Sequence, residues 1–303
     1  MVIYSSCPVC KGTQIQPRLS AKDYTVSNET FSILSCNDCT HLFTQNVAEQ
    51  ADIGKYYASE NYISHSDTQV GFVNKLYHSI RKKTLQRKKN LIENETKKLT
   101  GSILDVGCGT GAFLNTMKLG GWKITGLEPD ETARAKATSL YGIEPQPSEE
   151  IFNLSHNTYD AITMWHVLEH VHQLHGYVAQ LKNMLTDKGK IFIAVPNYTS
   201  YDAAHYGEFW AAYDVPRHLY HFSPESMKNL VEQHGLSIKK MKPMWFDSFY
   251  VSMLSEQYKN GKGNLIKAFL IGLISNIKTL FNPKKCSSII YIIEKVKLEF
   301  ENL

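Results

Sequence analysis

From about residue 100 onward, short apolar runs alternate with longer segments whose apolar positions recur at helical spacing. The runs at 102–106, 123–128, 159–164 and 190–195 are bounded by turn-forming residues, which predicts buried strands. A weaker run near 143–146 predicts one more short strand. Asp130 is placed to cap a helix that starts near Glu131. Ser223-Pro224 predicts another helix start, with serine as cap and proline in the first turn, and Gly235 predicts its end. A sixth strand is expected around 237–245, and Ser287–Val296 reads as a last one. Strand and helix alternating in this way predict a doubly wound α/β sheet.

The first 98 residues follow a different pattern. Cys7-Pro8-Val9-Cys10 and Cys36-Asn37-Asp38-Cys39 are separated by 25 residues, with Phe31-Ser32-Ile33-Leu34-Ser35 alternating like a strand into the second pair. Two such pairs can supply four thiolates to one tetrahedral Zn²⁺, so Cys7, Cys10, Cys36 and Cys39 are expected to form a structural zinc ribbon over residues 1–45. No secretion signal is visible in Met1-Val2-Ile3-Tyr4, which favours metal over disulfides and a cytoplasmic location. Residues 46–98 read as a helical lid or linker, with Tyr56, Tyr57, Tyr62 and His65 filling a seam or lining a substrate mouth. The segment Arg81–Lys89 holds six basic residues in nine. It reads as a solvated helix face with Leu76, Ile80, Thr84, Leu91 and Ile92 turned inward; a nucleic-acid grip is the alternative.

Composition adds few constraints. The chain has 303 residues, 43% hydrophobic and 20% charged, with a net charge of +4 that demands no nucleic-acid partner. The apolar stretch Leu265–Ile274, inside a helical insertion at about 250–285, is too short to span a bilayer. Packing on the domain or a second subunit is the preferred reading for it. Membrane-surface contact over 264–281, with Lys259, Lys262, Lys267 and Lys278 near headgroups, is the other.

The candidate chemistry centres on Leu104-Asp105-Val106-Gly107-Cys108-Gly109-Thr110-Gly111, a strand running into a glycine turn that opens a helix. Gly107, Gly109 and Ala112 satisfy a loose dinucleotide fingerprint. A carboxylate at Asp105 argues against that ligand, because it repels phosphate: like charges at ~4 Å cost several kcal/mol at protein-like dielectric. It suits S-adenosylmethionine (SAM), which has no phosphate and carries an ammonium and a sulfonium. Glu128 ends the next strand 17 residues after Gly111, where an acid holds ribose hydroxyls.

Four ordered pieces, LDVGCGTG (104–111), GLEPD (126–130), YDAITMWHVLEHV (159–171) and GKIFIAVPN (189–197), resemble the class I SAM-dependent methyltransferases over roughly residues 75–250. The resemblance implies a Rossmann-like sheet of seven strands, the last antiparallel, over residues 99–303. It implies SAM as methyl donor, with S-adenosylhomocysteine as product. The expected cofactor contacts are Asp105, Gly107, Cys108, Gly109, Gly111, Glu128, Pro129, Trp165 and His166, with Gln146–Glu149 near adenine. A hydroxyl acceptor needs a base, and His166, His170, His218 and His221 are the candidates; Asp214–Phe222 falls in the loop after the fifth strand, and His218 and His221 are favoured there. The H-x-x-E-H pattern at His166–His170 directly follows a core strand, which argues against a peptidase. The tetrapeptide N-P-P-Y of amino-methylating enzymes is replaced by Met164-Trp165-His166-Val167, which favours oxygen or carbon acceptors. The expected acceptor is a small or sugar-containing molecule. An RNA methyltransferase and a non-catalytic SAM-binding scaffold are the alternatives.

Overall fold

A computed structural model describes residues 1–57 and 72–296, with side chains from residue 83 onward in the first helix. Tyr62 and His65 lie outside the described residues, as do the side chains of Leu76 and Ile80. The elements in chain order are β1 (Ile15–Lys22), β2 (Thr30–Cys36), β3 (Leu42–Thr44), α1 (Phe72–Thr96), β4 (Ser102–Val106), α2 (Ala112–Leu119), β5 (Lys123–Leu127) and α3 (Glu131–Tyr141). They continue with β6 (Tyr159–Trp165), α4 (Leu174–Met184), β7 (Leu185–Pro196), α5 (Tyr201–Tyr206), β8 (Tyr220–His221), α6 (Pro224–Glu232), β9 (Leu236–Pro243), α7 (Asp247–Asn260), α8 (Leu265–Phe281) and β10 (Ser288–Lys295). Two compact units result: a loop unit of Ile63–Trp165 and Ala179–Phe192, and a ribbon unit of Met1–Tyr62, His166–Val178 and Ile193–Leu303.

In the loop unit, β4 pairs in parallel with β5 on one side and β6 on the other. Ile103 and Leu104 are fully buried, as their place in a central strand requires. Helix α2 buries Phe113, Leu114 and Met117, and α1 buries Ile92. Asp130 caps α3 by accepting from the Ala133 N–H at 2.6 Å, as its sequence position predicts.

The sheet has six described strands in the order β5-β4-β6-β7-β10-β9, with β10 antiparallel to β9. The expected count of seven is corrected here. The run at 143–146 gives a single parallel bridge between Gln146 and Leu127. Gln146 accepts from the Glu128 N–H and donates to the Gly126 carbonyl, both at 2.9 Å. Its neighbours Pro145 and Pro147 have no N–H to donate, so the ladder ends at one residue.

In the ribbon unit, β1 and β2 form a hairpin from Ile15↔Cys36 to Lys22↔Thr30, with an irregularity between Pro17 and Leu19. Strand β3 extends it, and β8 completes a four-stranded sheet through Leu42↔His221 and Phe43↔Tyr220. Part of the segment expected as a loop after the fifth strand is therefore an edge of the ribbon's sheet. Phe31, Ile33, Leu42, Tyr56, Tyr206 and Trp210 are buried in one cluster of this unit. Helix α6 starts with Ser223 as cap in a capping box, with Pro224 in the first turn.

Candidate functional site

Strand β4 delivers the chain into a turn whose three glycines sit at positive φ: Gly107 at 72°, Gly109 at 54° and Gly111 at 78°. Side-chain-bearing residues resist that conformation, which explains glycine at all three. The Gly107 and Cys108 N–H groups donate to the Leu127 carbonyl at 2.7 and 2.9 Å, tying the turn to the end of β5. A Cβ on Gly109 would meet nothing within 4 Å, so the turn borders open space there.

Two carboxylates border this turn. Glu128 is 5% exposed; its Oε2 accepts from the Gly109 N–H at 2.8 Å and its Oε1 from the Asp130 N–H at 3.0 Å. The carbonyls of Glu128 and Pro129 both accept from Arg134 at 2.7 Å, so Pro129 acts here through its backbone. Asp105 is buried, and its Oδ1 accepts from the Thr163 hydroxyl at 2.5 Å. Burial pushes the Asp105 carboxyl up to about 7; Thr163 and Lys88 pull it down, and Glu128 adds to the rise. Burial, Asp105 and Glu128 hold the Cys108 thiol well above its ordinary range, so Cys108 is a packed loop residue and not a nucleophile.

Trp165 closes the end of β6, edge-on to Phe113 with ring centroids 5.7 Å apart. Its buried Nε1–H has no hydrogen-bond partner. The Lys88 ammonium lies 4.0 Å from the centroid of the Trp165 ring. Lys88 therefore faces the end of β6, which the reading of 81–89 as a solvated face did not anticipate. The signal was present: Lys88 follows Thr84 by four residues and shares its helix face.

The histidines assemble in the ribbon unit. His166 has φ 57° and stands between two acids, with Nε2 3.1 Å from Asp247 and Nδ1 3.4 Å from Glu169. Burial opposes its charge, but Asp247 and Glu169 raise its pKa to about 10. Held as a cation, His166 has no lone pair with which to act as the expected base. Glu169 is fully buried and held below its ordinary range, against burial, chiefly by His166. His170 is neutral near pH 7, because burial and then His218 lower its pKa to about 4. Its Nδ1 lies 3.0 Å from the Arg217 carbonyl and 2.9 Å from the Tyr57 hydroxyl. A hydrogen on Nδ1 satisfies that carbonyl and leaves the Nε2 lone pair available. Ligand atoms of Glu169, His170 and His218 all lie within 4.8 Å of one another, close enough to share a proton or a cation.

The other two expected bases are held differently. His218 is 8% exposed, its Nδ1 lies 2.9 Å from the Ala212 carbonyl, and its ring meets that of His170 edge-on at 4.5 Å. His221 is a β8 residue, buried, with Nε2 3.0 Å from the Thr44 hydroxyl. Its hydrogen bond lies inside the ribbon's sheet, which is a packing role. Arg217, the residue before His218, is wholly buried. It donates to Asp214 at 2.6 Å, to Asp23 at 3.0 Å and to the Tyr56 carbonyl at 2.9 Å, and also bonds Thr25.

The four cysteines of the ribbon converge. The Sγ atoms of Cys7 and Cys39 are 3.5 Å apart, as are those of Cys10 and Cys36, and all four lie within 4.8 Å of one another. A tetrahedral zinc with bonds of ~2.3 Å needs sulfurs roughly 3.8 Å apart, so the cluster fits that ion. Both knuckles are followed by a residue at positive φ, Lys11 at 64° and Thr40 at 60°. The N–H groups of Val9 and Gly12 point at the Cys7 and Cys10 sulfurs at 3.4 Å, as suits thiolate acceptors.

The family model described as a methyltransferase domain matches residues 77–240. The mitochondrial ubiquinone biosynthesis O-methyltransferase of Bos taurus is 28% identical over 170 residues, which are 50% of this chain and 46% of that protein. The ubiquinone biosynthesis O-methyltransferase of Aeromonas salmonicida (strain A449) is 28% identical over 174 residues, covering 53% of this chain and 71% of that protein. The chain spans about half the length of the first mammalian relatives it matches. Among solved structures, a SAM dependent methyltransferase from Archaeoglobus fulgidus is 20% identical, covers 72% of this chain and 93% of its own, and has a TM-score of 0.48.

Proposed function

Because this chain belongs to the methyltransferase domain family, we propose that it transfers a methyl group from SAM to a hydroxyl oxygen of a small-molecule acceptor. The observation that carries the reading is the pair of carboxylates, Asp105 and Glu128, at a glycine turn that opens a helix. Such a turn with an acid on each side repels a diphosphate and attracts a cation. The donor supplies an electrophilic methyl on a sulfonium whose leaving group is a neutral thioether. The residues proposed to hold it are Asp105, Gly107, Cys108, Gly109, Gly111, Glu128 and Trp165, with the unpartnered Trp165 Nε1–H as a further donor. Glu128 is suited to the ribose hydroxyls, since a carboxylate accepts from two donors at once.

Little electrophilic help is needed for such a transfer, so positioning supplies most of the acceleration. A hydroxyl acceptor must still lose its proton. His170 is proposed to take it at Nε2, because the ring is neutral near pH 7 and its Nδ1 faces a fixed carbonyl. Glu169 then favours the imidazolium that forms, while His218 opposes the added charge. The curated relatives are named as O-methyltransferases, which supports oxygen over carbon as the accepting atom. A sugar-containing acceptor fits the same chemistry. An RNA acceptor is less well supported, since Lys88 lies over Trp165 and Lys89 pairs with Glu93 at 2.7 Å, inside the loop unit. Zn²⁺ in the four-cysteine cluster is proposed as structural, because four thiolates leave no open coordination position.

Calorimetry with SAM and with NAD, followed by transfer of a labelled methyl to a panel of phenolic and sugar hydroxyls, tests the proposal. Binding of SAM but not NAD, with label on oxygen, is the expected result. Preference for NAD would end the reading, and SAM binding without transfer to any acceptor would favour a scaffold.

A further inference from the structure

Helix α8 is built the wrong way round for a helix covered only by its own domain. Its buried positions are small or short: Ala268, Gly272, Ser275 and Thr279, with Ile271 the one large exception. Ser275 donates to Asp202 at 2.7 Å, and the Gly272 carbonyl accepts from Ser248 at 3.2 Å. A Cβ at Gly272 would come within 2.8 Å of Phe249, so the close approach of α7 and α8 requires glycine there. The large apolar side chains lie on the opposite arc. Leu265 is 68% exposed, Ile266 76%, Phe269 55%, Leu280 69% and Phe281 86%. At about 100° per residue, these positions fill roughly half the helix circumference. A continuous apolar face of this kind marks an interaction surface.

Charge selects what covers it. Residues 245–286 contain six lysines, no arginine and two acids, Asp247 and Glu256. Glu256 is buried and paired with Lys267 at 3.0 Å, and Asp247 sits 3.1 Å from His166. Lys259, Lys262, Lys278 and Lys284 are all exposed. A two-fold contact with a second copy through this face would gather two sets of these lysines at one interface, with no acid at the surface in 245–286 apart from the half-buried Asp247 to offset them. An anionic lipid surface would receive the apolar arc between headgroups and meet the lysines with opposite charge. At the α7–α8 turn, an open groove of about 710 Å³ brings Lys262 and Asn264 beside Leu265 and Ile266, so that cationic, polar and apolar contacts share one rim. Among the described residues no helix is long and apolar enough to cross a membrane, which leaves lying along the surface as the mode for α8.

We propose that the exposed face of α8, with its flanking lysines, docks the protein on the surface of an anionic membrane. This inference stands independently of the methyl-transfer reading.

The test is co-sedimentation of the full chain with phosphatidylcholine vesicles and with vesicles in which about one lipid in three is phosphatidylglycerol. The expected result is partitioning at least about ten-fold stronger onto the anionic vesicles, weakened by added salt. Ile266→Glu with Phe269→Glu should lower that partitioning about ten-fold or more, and Lys262→Glu with Lys284→Glu should bring it down to the neutral-vesicle level. Lys262, Lys284 and Ile266 are exposed, and Phe269 is 55% exposed with its ring stacked on Phe249, so circular dichroism should not change and the unfolding midpoint should fall only slightly; the salt dependence of the unaltered protein needs no variant. An unaltered protein that stays in the supernatant with both vesicle types overturns the proposal. So does a double glutamate variant that still partitions like the parent. A dimer in light scattering that the glutamate variant returns to monomer also overturns it, because a second copy would then be the cover.

Discussion

Replacing Arg217 with methionine should destabilise the ribbon unit by about 3 kcal/mol at pH 7, a difference that narrows in acid. The guanidinium is wholly buried and holds two carboxylates, Asp23 (1% exposed) and Asp214. Removing one member of a buried ionic cluster typically costs ~3–5 kcal/mol, because the remaining charge is left without its partner. The low end applies here. Asp23 keeps the N–H groups of Thr25, Val26 and Ser27 as donors, and the Asp214 side chain retains 20% exposure.

The pH dependence follows from the same contacts. Burial works to raise both carboxyls, yet Asp23 is held below the ordinary range by the Ser27 N–H and Arg217, and Asp214 by His218 and Arg217. In the parent these acids therefore contribute stability above the unfolded-state pKa of about 3.9, and it is lost as pH falls through their lower folded values. Without the guanidinium, burial raises the folded-state pKa of Asp214 against the remaining hold of His218, so the variant loses less stability than the parent as pH falls below about 4. Urea unfolding at about pH 7.5 and pH 3, followed by circular dichroism, reads both effects. An Arg217→Met variant that stays within about 1 kcal/mol of the parent at pH 7.5, or that keeps the parent's pH slope, would refute the reasoning. Arg217→Met combined with Asp214→Asn should recover part of the loss.

Glu128→Ala should weaken SAM binding by about ten-fold or more in calorimetry, since a hydrogen bond to a charged group contributes ~1.5–3 kcal/mol. Asp105→Asn should flatten the pH dependence of that affinity: the parent should bind SAM more tightly as pH rises through about 7 and Asp105 ionises, while the variant should show no such rise. His170→Asn should lower kcat about 10²–10⁴-fold with SAM affinity unchanged, and the parent's kcat at saturating SAM should fall only near pH 4, where His170 takes a proton. Cys36→Ser should release zinc, read by metal analysis, and lower the unfolding midpoint.

How much of this was legible in the chain depended on how local the cause was. The turn at Gly107–Gly111, the Asp130 cap and the Ser223-Pro224 helix start each depend on neighbours within a few residues, and each lies where sequence reasoning puts it. The two cysteine pairs were also legible, because thiolate chemistry restricts what a C-x-x-C pair can do. Pro145 and Pro147 could have warned against a strand at 143–146, since neither has an N–H. The histidines were not legible in the same way. His166 is held charged by Asp247, and His221 is turned into the ribbon's sheet by pairing with Leu42; both partners are remote in sequence. No spacing rule marks such partners. Lys88 was hidden by its company, because a run of six basic residues looks solvated until helical periodicity is applied to each one.

The electrostatic inference drawn from Asp105 alone becomes more specific with its surroundings. A lone ionised carboxylate would exclude phosphate at every pH above its ordinary range. The Asp105 carboxyl instead ionises at about 7, because it is buried and because Glu128 already carries charge nearby. Before a ligand binds, the turn thus holds one firm negative charge, on Glu128, and a second that is partly neutralised by a proton. A diphosphate would oppose the firm charge and also force the proton to stay. A cation would relieve the repulsion between the two acids and release the proton. Lys88 draws Asp105 in the same direction, since its charge favours the ionised form. On the proposed reading, the selectivity therefore does not reside in one residue. It comes from two carboxylates whose mutual repulsion is relieved only when positive charge arrives, which is the physical content of an acid preceding a glycine turn and another ending the next strand.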